Sequence, residues 1–453
     1  MTRLPLVGHT HPDQIVAWHR GSAITLAHFL SDVNHLANQL PSRQCLFNMC
    51  TDRYRFTVGL AAAVLTGKVS LLPSTHTPEM VRQMQAFAPD VFCLHDTSHC
   101  SIALPQIRYP ELPESPECNA VNGTGSAIPM IDSEQLIAIV FTSGSTGTPV
   151  PHHKYWGPVL QSIESEAGRI GLSDHATACT VVGTVPPQHM YGFESTVLIA
   201  LQSGHALSGA QPFYPADIVT ALEAVPVPRI LVSTPVHLRM LLESGLELPE
   251  VTLVLSATAP LSKQLAHAVE ARFNAPLQEI YGSTETGTIA TRRPTQTLEW
   301  RLFNGVEFSQ QGDQTTASGG HVIQPIIMND VIELTHDHCF LLHGRKADMI
   351  NIAGKRSSLA HLNHLLNAIP GVLDGAFYMP DDESPDHVVR LVACVVAPTL
   401  TAQQLSTTLR EHIDPVFLPR PLLLVAALPR NSTGKLPREA LTAMIHAQLG
   451  NPS

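Results

Sequence analysis

The run from Leu136 to Pro149 constrains this chain more than any other. Leu136 to Val140 (L-I-A-I-V) has the length and β-branched content of a buried strand. It passes directly into F-T-S-G-S-T-G-T-P, Phe141 to Pro149. Two glycines and five hydroxyl residues lie between that phenylalanine and proline. Glycine lets the backbone take positive φ and approach a ligand closely. Successive backbone N–H groups in such a turn form an anion-binding nest, and the hydroxyls add donors. A strand feeding such a loop is a site for a nucleoside triphosphate. It is not the common phosphate loop G-x-x-x-x-G-K-[ST], because Thr148, Pro149 and Val150 follow Gly147. The next lysine is Lys154, so the phosphate charge must be met in another way.

Two further segments supply matching chemistry. Gln278 to Gly287 reads Q-E-I-Y-G-S-T-E-T-G. Tyr281 offers a flat face to a base, Thr284 a hydroxyl to a phosphate, and Glu285 a carboxylate to Mg²⁺. Leu428 to Arg438 reads L-P-R-N-S-T-G-K-L-P-R and places Lys435, one of only six lysines, on a Gly-containing loop. A lysine delivered by a mobile loop can set a point charge on an oxyanion as it develops.

The chain has 453 residues, which is too long for one core and suits two or three domains. With 44% hydrophobic residues and a mean hydropathy of +0.09, a large core can be buried. No apolar run approaches the ~20 residues of a membrane span, and the N-terminus lacks a signal core. A net charge of −11 argues against a nucleic-acid partner. The eight cysteines contain no C-x-x-C, so a reduced cytoplasmic setting is expected. Cys93, His95, His99 and Cys100 cluster in sequence, but not at zinc-finger spacing.

Periodicity predicts helices over Thr25–Leu40 and Arg53–Leu65 and strands over Val69–Leu72 and Asp90–Leu94. Thr97–Ser133 reads as surface loop. Leu136 to about Gly287 again alternates strands and helices, the α/β pattern of a mostly parallel sheet. Thr297–Leu342 is β-like. After Arg345 comes a small α+β unit: helix Leu359–Leu366, strand Val388–Val396, helix Ala402–His412 and strand Pro421–Ala427.

Together the three segments resemble the adenylate-forming superfamily of acyl- and aryl-CoA synthetases, peptide-synthetase adenylation domains and luciferases. A fourth motif joins them in the family's order, H-G-R-K-A-D-M-I-N-I-A-G from His343 to Gly354. The resemblance implies a large N-terminal domain of layered α/β sheets (1–345), with a trimmed β subdomain because the stretch from Glu285 to Asp330 is short. It also implies a small α+β C-terminal lid (346–453). It implies that Thr142, Ser143, Gly144, Ser145, Thr146 and Gly147 cradle the β- and γ-phosphates of ATP. Tyr281 then stacks on adenine, Thr284 touches the α-phosphate and Glu285 holds Mg²⁺. Asp330 and Arg345 stand at the ribose, Gly354 lines a pantetheine tunnel, and Lys435 serves the adenylation step.

Substrate signals are thinner. Pro186 to Gly192, P-P-Q-H-M-Y-G, resembles the P-x-x-H-x-x-G of acyl- and aryl-CoA ligases, which makes His189 a residue of the acyl pocket. The aspartate with which amino-acid-activating relatives pair the substrate ammonium is absent, and a buried ammonium without a carboxylate is costly. Ser256 to Leu261 reads S-A-T-A-P-L where the family has G-G-A-P-L, so Ala257 and Thr258 add bulk and favour a compact aromatic or short acyl group. The chain departs from the family at Val150, where a lysine is usual, and at Ala347, a hinge position. It departs again at His361-Leu362-Asn363, where E-x-E is usual. Lys154 is the nearest replacement for the missing lysine.

The expected activity is therefore ATP-dependent activation of a small carboxylic acid to acyl-AMP. Transfer to a pantetheine thiol follows, of coenzyme A or of an acyl carrier protein. The competing expectation, prompted by Val150 and Ala347, is a non-catalytic nucleotide-binding homologue.

Overall fold

The computed structural model describes residues 2–73, 75–110, 127–143, 149–174, 178–259, 261–345, 349–352, 355–380, 390–431 and 434–450. Two large sheets carry the first three quarters of the chain. In one, strands Cys45–Asn48, Val69–Leu72, Phe92–His95 and Leu136–Ser143 run parallel, and Pro149–Tyr155 closes an edge antiparallel to Leu136–Ser143. In the other, Ala206–Ser208, Thr180–Gly183, Arg229–Ser233, Leu253–Ser256 and Leu277–Ser283 run parallel in that spatial order. Strands Gly287–Arg292, Trp300–Leu302, Cys339–Arg345 and Asp330–Leu334 extend this sheet antiparallel.

The parallel strands read as unbroken apolar runs because helices cover them. Leu253–Ser256 is buried at every position. Helix Arg53–Leu65 is apolar nearly all round and joins one core with residues of both sheets, Leu46 and Val140 from the first and Val181 and Ile230 from the second. Asp52 caps its first turn by accepting from the Arg55 N–H at 3.0 Å.

Beyond residue 349 the chain builds a smaller unit. Strands Asp374–Tyr378, Val392–Val396 and Leu422–Leu424 form a three-stranded sheet, flanked by helices Leu359–Asn367, Ala402–His412 and Arg438–Leu449. Its two apolar clusters draw only on residues 350 to 445. It touches the body through Arg239, whose guanidinium donates to the Leu373 carbonyl. A second contact lies at Gly434, where an added Cβ would stand 3.5 Å from Val236 and 3.6 Å from Thr234.

Most of the expected elements are present: helices Arg53–Leu65 and Ala402–His412 and strand Val69–Leu72 coincide with their sequence ranges. The pivotal strand is longer than its apolar run. It continues through Phe141, Thr142 and Ser143, which pair with Pro151, Val150 and Pro149. Those residues are therefore strand rather than loop, because the returning edge strand pairs with them. The Thr97–Ser133 region, expected as loop, contains short strands at Gln106–Arg108 and Met130–Asp132.

Candidate active site

Four segments meet above the carboxyl ends of the parallel strands, where ligands of open α/β sheets bind. The first is the hairpin between Leu277–Ser283 and Gly287–Arg292. Its turn is tied by Ser283 N–H donating to Thr286 Oγ1 at 3.1 Å and Thr286 N–H donating to Ser283 Oγ at 3.2 Å. Gly287 closes it at φ +71°, a conformation that favours glycine. The turn projects Glu285, whose side chain is 34% exposed.

The second segment is the edge strand Pro149–Tyr155. Its side chains alternate, so Val150, His152 and Lys154 lie on one face. The His152 Nε2 is 2.9 Å from Thr142 Oγ1 and 3.8 Å from Glu285 Oε1. The Lys154 ammonium, only 7% exposed, donates to the Thr284 carbonyl at 2.5 Å. Burial lowers the Lys154 pKa, with Glu194 and Glu285 pulling it back up. Lys154 thus braces the Glu285 turn from beneath and is not presented to a phosphate. Whether it replaces the missing lysine is open in the sequence, and its ammonium is committed to the Thr284 carbonyl.

Under the turn lies a polar pocket that the motifs did not reveal. Glu194 accepts from Thr288 Oγ1 at 3.2 Å and from Ser162 Oγ at 3.5 Å. Glu166, fully buried, has its pKa pushed up to about 8 by burial, and the neighbouring Glu194 adds to this. It is therefore held protonated at neutral pH.

The third segment, Pro186–Gly192, carries His189. Gly192 is required there, since a Cβ would come 2.0 Å from the Pro186 carbonyl oxygen. The loop is pinned by Arg53, a wholly buried residue whose Nη2 donates to Gly183 O at 2.8 Å and Val185 O at 3.0 Å. The Tyr191 hydroxyl donates to Ser233 O at 3.2 Å. Desolvation drops the His189 pKa to about 4, with Lys435 and His76 adding to the effect. His189 is thus a neutral imidazole, and the terminal lysine lies near enough for its charge to be felt. The Lys435 loop is itself ordered by Lys435 N–H donating to Asn431 Oδ1 at 2.9 Å and by the Arg430–Asp374 ion pair at 2.7 Å.

The fourth segment gathers Tyr281, Asp330 and Arg345. Tyr281, 9% exposed, leans on Trp300 and Phe340 with ring centroids 5.5 and 5.6 Å away. Its hydroxyl donates to Asp330 Oδ2 at 2.7 Å. Asp330 pairs with Arg345 across the antiparallel ladder. The strand Leu253–Ser256 ends beside these parts, and Thr258 then takes φ +78°, a genuine strain for a β-branched residue. Glycine, the residue expected there from the family pattern, would carry no such cost.

The structure thus brings Thr142 and Glu285 together through His152, sets Thr284 on Lys154 and Tyr281 on Asp330, and leaves Lys435 within electrostatic reach of His189. Gly144, Ser145, Thr146, Gly147 and Gly354 lie outside the described residues, as do the side chains of Ser143 and Arg345. Among the described residues there is no group of three or more His, Cys, Asp or Glu that could hold a metal ion. No described helix is long and apolar enough to cross a membrane.

Comparison with known proteins agrees with this geometry. The family described as AMP-binding enzyme matches residues 7–308. A 4-coumarate–CoA ligase of Rhodobacter capsulatus is 29% identical over 307 residues, covering 67% of this chain and 75% of that protein. One of Halorhodospira halophila is 31% identical over 312 residues, covering 65% of this chain and 73% of its own length. Among solved structures, o-succinylbenzoate CoA synthetase from Bacillus subtilis in complex with its acyl-adenylate intermediate superposes with a TM-score of 0.80. That match covers 100% of this chain and 99% of the other at 18% identity, and so speaks to the fold. The chain belongs to the AMP-binding enzyme family and is an ATP-dependent acid–thiol ligase.

Proposed function

We propose that the substrate is a compact aryl acid, that coenzyme A is the acceptor, and that the residues of the cleft divide the work as follows. A carboxylate oxygen attacks the α-phosphorus of ATP, the bond to the β-phosphate breaks, and pyrophosphate leaves with the acyl-AMP formed. The thiol sulfur then attacks the acyl carbon, loses its proton, and expels AMP as the thioester forms. Two anions must meet in the first step, so the site has to supply positive charge where negative charge develops.

Lys435 supplies it from the lid. The observation that carries this reading is the packing of Gly434, next to Lys435, against Val236 and Thr234 of the body, which leaves the lysine within electrostatic reach of His189. The hydroxyl-rich segment from Thr142 to Gly147 grips the polyphosphate, with Ser143, Gly144, Ser145 and Thr146 lending donors. Thr284 meets the α-phosphate. Glu285 suits Mg²⁺, which binds through one or two carboxylates plus phosphate oxygens, and its partly exposed carboxylate on the hairpin turn fits that demand. Bound there, the ion would offset phosphate charge.

Tyr281 and Asp330 receive the nucleoside. The ring of Tyr281 faces adenine, and Asp330, fixed by the Tyr281 hydroxyl, accepts from the ribose alongside Arg345. The neutral imidazole of His189 lines the acyl pocket. Residues 1–345 form the body and 346–453 the lid, whose rotation brings Gly354 to the pantetheine arm. Bulk at Ala257 and Thr258 favours a short, flat acid, and the coumarate ligases among the relatives support an aryl group and coenzyme A.

Purified protein given ATP, Mg²⁺ and a panel of hydroxylated and unsubstituted aryl acids should release pyrophosphate with at least one, and add a thioester when coenzyme A follows. Nucleotide binding without pyrophosphate release across the panel, extended to short alkyl acids, would defeat the proposal.

A further inference from the structure

The lysine that the family pattern places after the phosphate-loop proline is Val150 here, and Lys154 is committed to the Thr284 carbonyl. His152 stands between them on the same strand face. Val150 pairs with Thr142 across the ladder, and His152 lies one pleat further in, about 7 Å along the strand. From there its Nε2 reaches both the Thr142 hydroxyl and the Glu285 carboxylate. These two groups belong to opposite walls of the cleft, one on the phosphate-loop strand and one on the hairpin turn.

We infer that His152 is a polyphosphate-binding residue of this chain, taking the place of the absent lysine. The inference rests on the reading above, in which Thr142 and Glu285 face the β- and γ-phosphates. An imidazole carries an N–H at Nε2 in one of its two neutral tautomers as well as in its charged form. It can therefore donate to a phosphate oxygen without any change of protonation. A donor 2.9 Å from Thr142 Oγ1 sits where the loop's own hydroxyl points. Val150, 44% exposed and apolar, offers no donor at the mouth. Recognition of the triphosphate end has thus moved from a long flexible ammonium at the rim to a short rigid ring inside it. A shorter ring loses less rotamer freedom on binding, which offsets its weaker charge.

The test separates triphosphate from monophosphate recognition in the full-length protein. Dissociation constants for ATP and AMP are measured by calorimetry without acid substrate, and pyrophosphate is titrated as a competitor of ATP. His152→Ala should weaken ATP and pyrophosphate about tenfold, the scale of one lost hydrogen bond to a charged group. AMP affinity should stay within about twofold of wild type. Adding Val150→Lys to His152→Ala should recover most of the ATP affinity, because it restores a cation at the rim. If His152→Ala proves insoluble, His152→Gln, which keeps a donor near Nε2, should bind ATP like wild type, and His152→Leu should not.

Unchanged ATP affinity, or equal losses for ATP and AMP, would overturn the assignment; equal losses would make His152 a brace for Thr142 and Glu285. Wild-type protein that neither binds ATP nor releases pyrophosphate would instead remove the underlying functional reading. The two failures are thus distinguishable in one set of preparations.

Discussion

The hairpin that carries Glu285 and the loop that carries Lys435 both bring charge to one reaction on the proposed reading, but they are built in opposite ways. The hairpin is continuous with the central sheet, tied by Ser283 and Thr286 and braced from below by a buried ammonium. The lysine loop belongs to a unit with its own apolar cores and meets the body through Arg239 and through Gly434 against Thr234 and Val236. The difference teaches how the work is divided. The groups proposed to bind nucleotide are fixed by tertiary packing, whereas the lysine proposed to answer developing charge stands on a separate unit with few ties to the body. Damage to the first region should therefore appear in stability and affinity together, and damage to the second in the rate of one step.

The sharpest way to break this contrast is Lys435→Ala. Pyrophosphate release should fall by about 10²–10³, the usual cost of removing a group aimed at developing charge. Thioester formation from supplied acyl-AMP and coenzyme A should persist, as should the melting temperature. Stopped-flow assays of each half-reaction check this; equal loss in both would show that the lid lysine serves more than adenylation.

Lys154→Met acts on the fixed side. It removes the donor from Thr284 and leaves Glu194 buried without its cation, so destabilisation of about 3 kcal/mol is expected. Thermal melting and ATP affinity should decline together. A variant that melts like wild type would show that the turn needs no brace.

Glu166→Gln sharpens the picture of the pocket beneath the hairpin. The folded-state pKa of Glu166 is raised from 4.5 to about 8. The folded protein therefore keeps a proton that the unfolded chain gives up. That contribution is fully present below about pH 4.5 and is lost as pH rises through about 8. Glutamine has no such proton, so its melting temperature relative to wild type should rise between pH 5 and 8, by roughly 5 °C at the upper end. A constant offset across that range would mean that Glu166 is ionised throughout.

Much of the site was legible because its parts are short and local. Tyr281, Thr284 and Glu285 lie within five residues, and Lys435 sits in a compact loop beside Gly434. The strand before the phosphate loop was readable from its β-branched run, but not its extension to Ser143. That extension depends on a partner strand, P-V-P-H-H-K-Y from Pro149 to Tyr155, whose strand character is obscured by Pro149 and Pro151. Lys154, Glu194 and Arg53 were illegible for a different reason. Lys154 meets Thr284 across 130 residues, and Arg53 meets Gly183 across another 130. No spacing rule links such pairs, and each residue alone reads as an ordinary surface charge.

The sequence by itself determined the order of strands and helices, the hydroxyl-rich loop, the acidic hairpin and the terminal lysine, since each depends on periodicity or on chemistry within a few residues. Only the tertiary structure decided what each charge does. It turned Lys154 inward, set His152 between Thr142 and Glu285, raised the pKa of Glu166 and packed the loop next to Lys435 against Val236 and Thr234. The physical reason is that burial and the approach of distant partners set the energy of a charge, and neither is written in neighbouring residues.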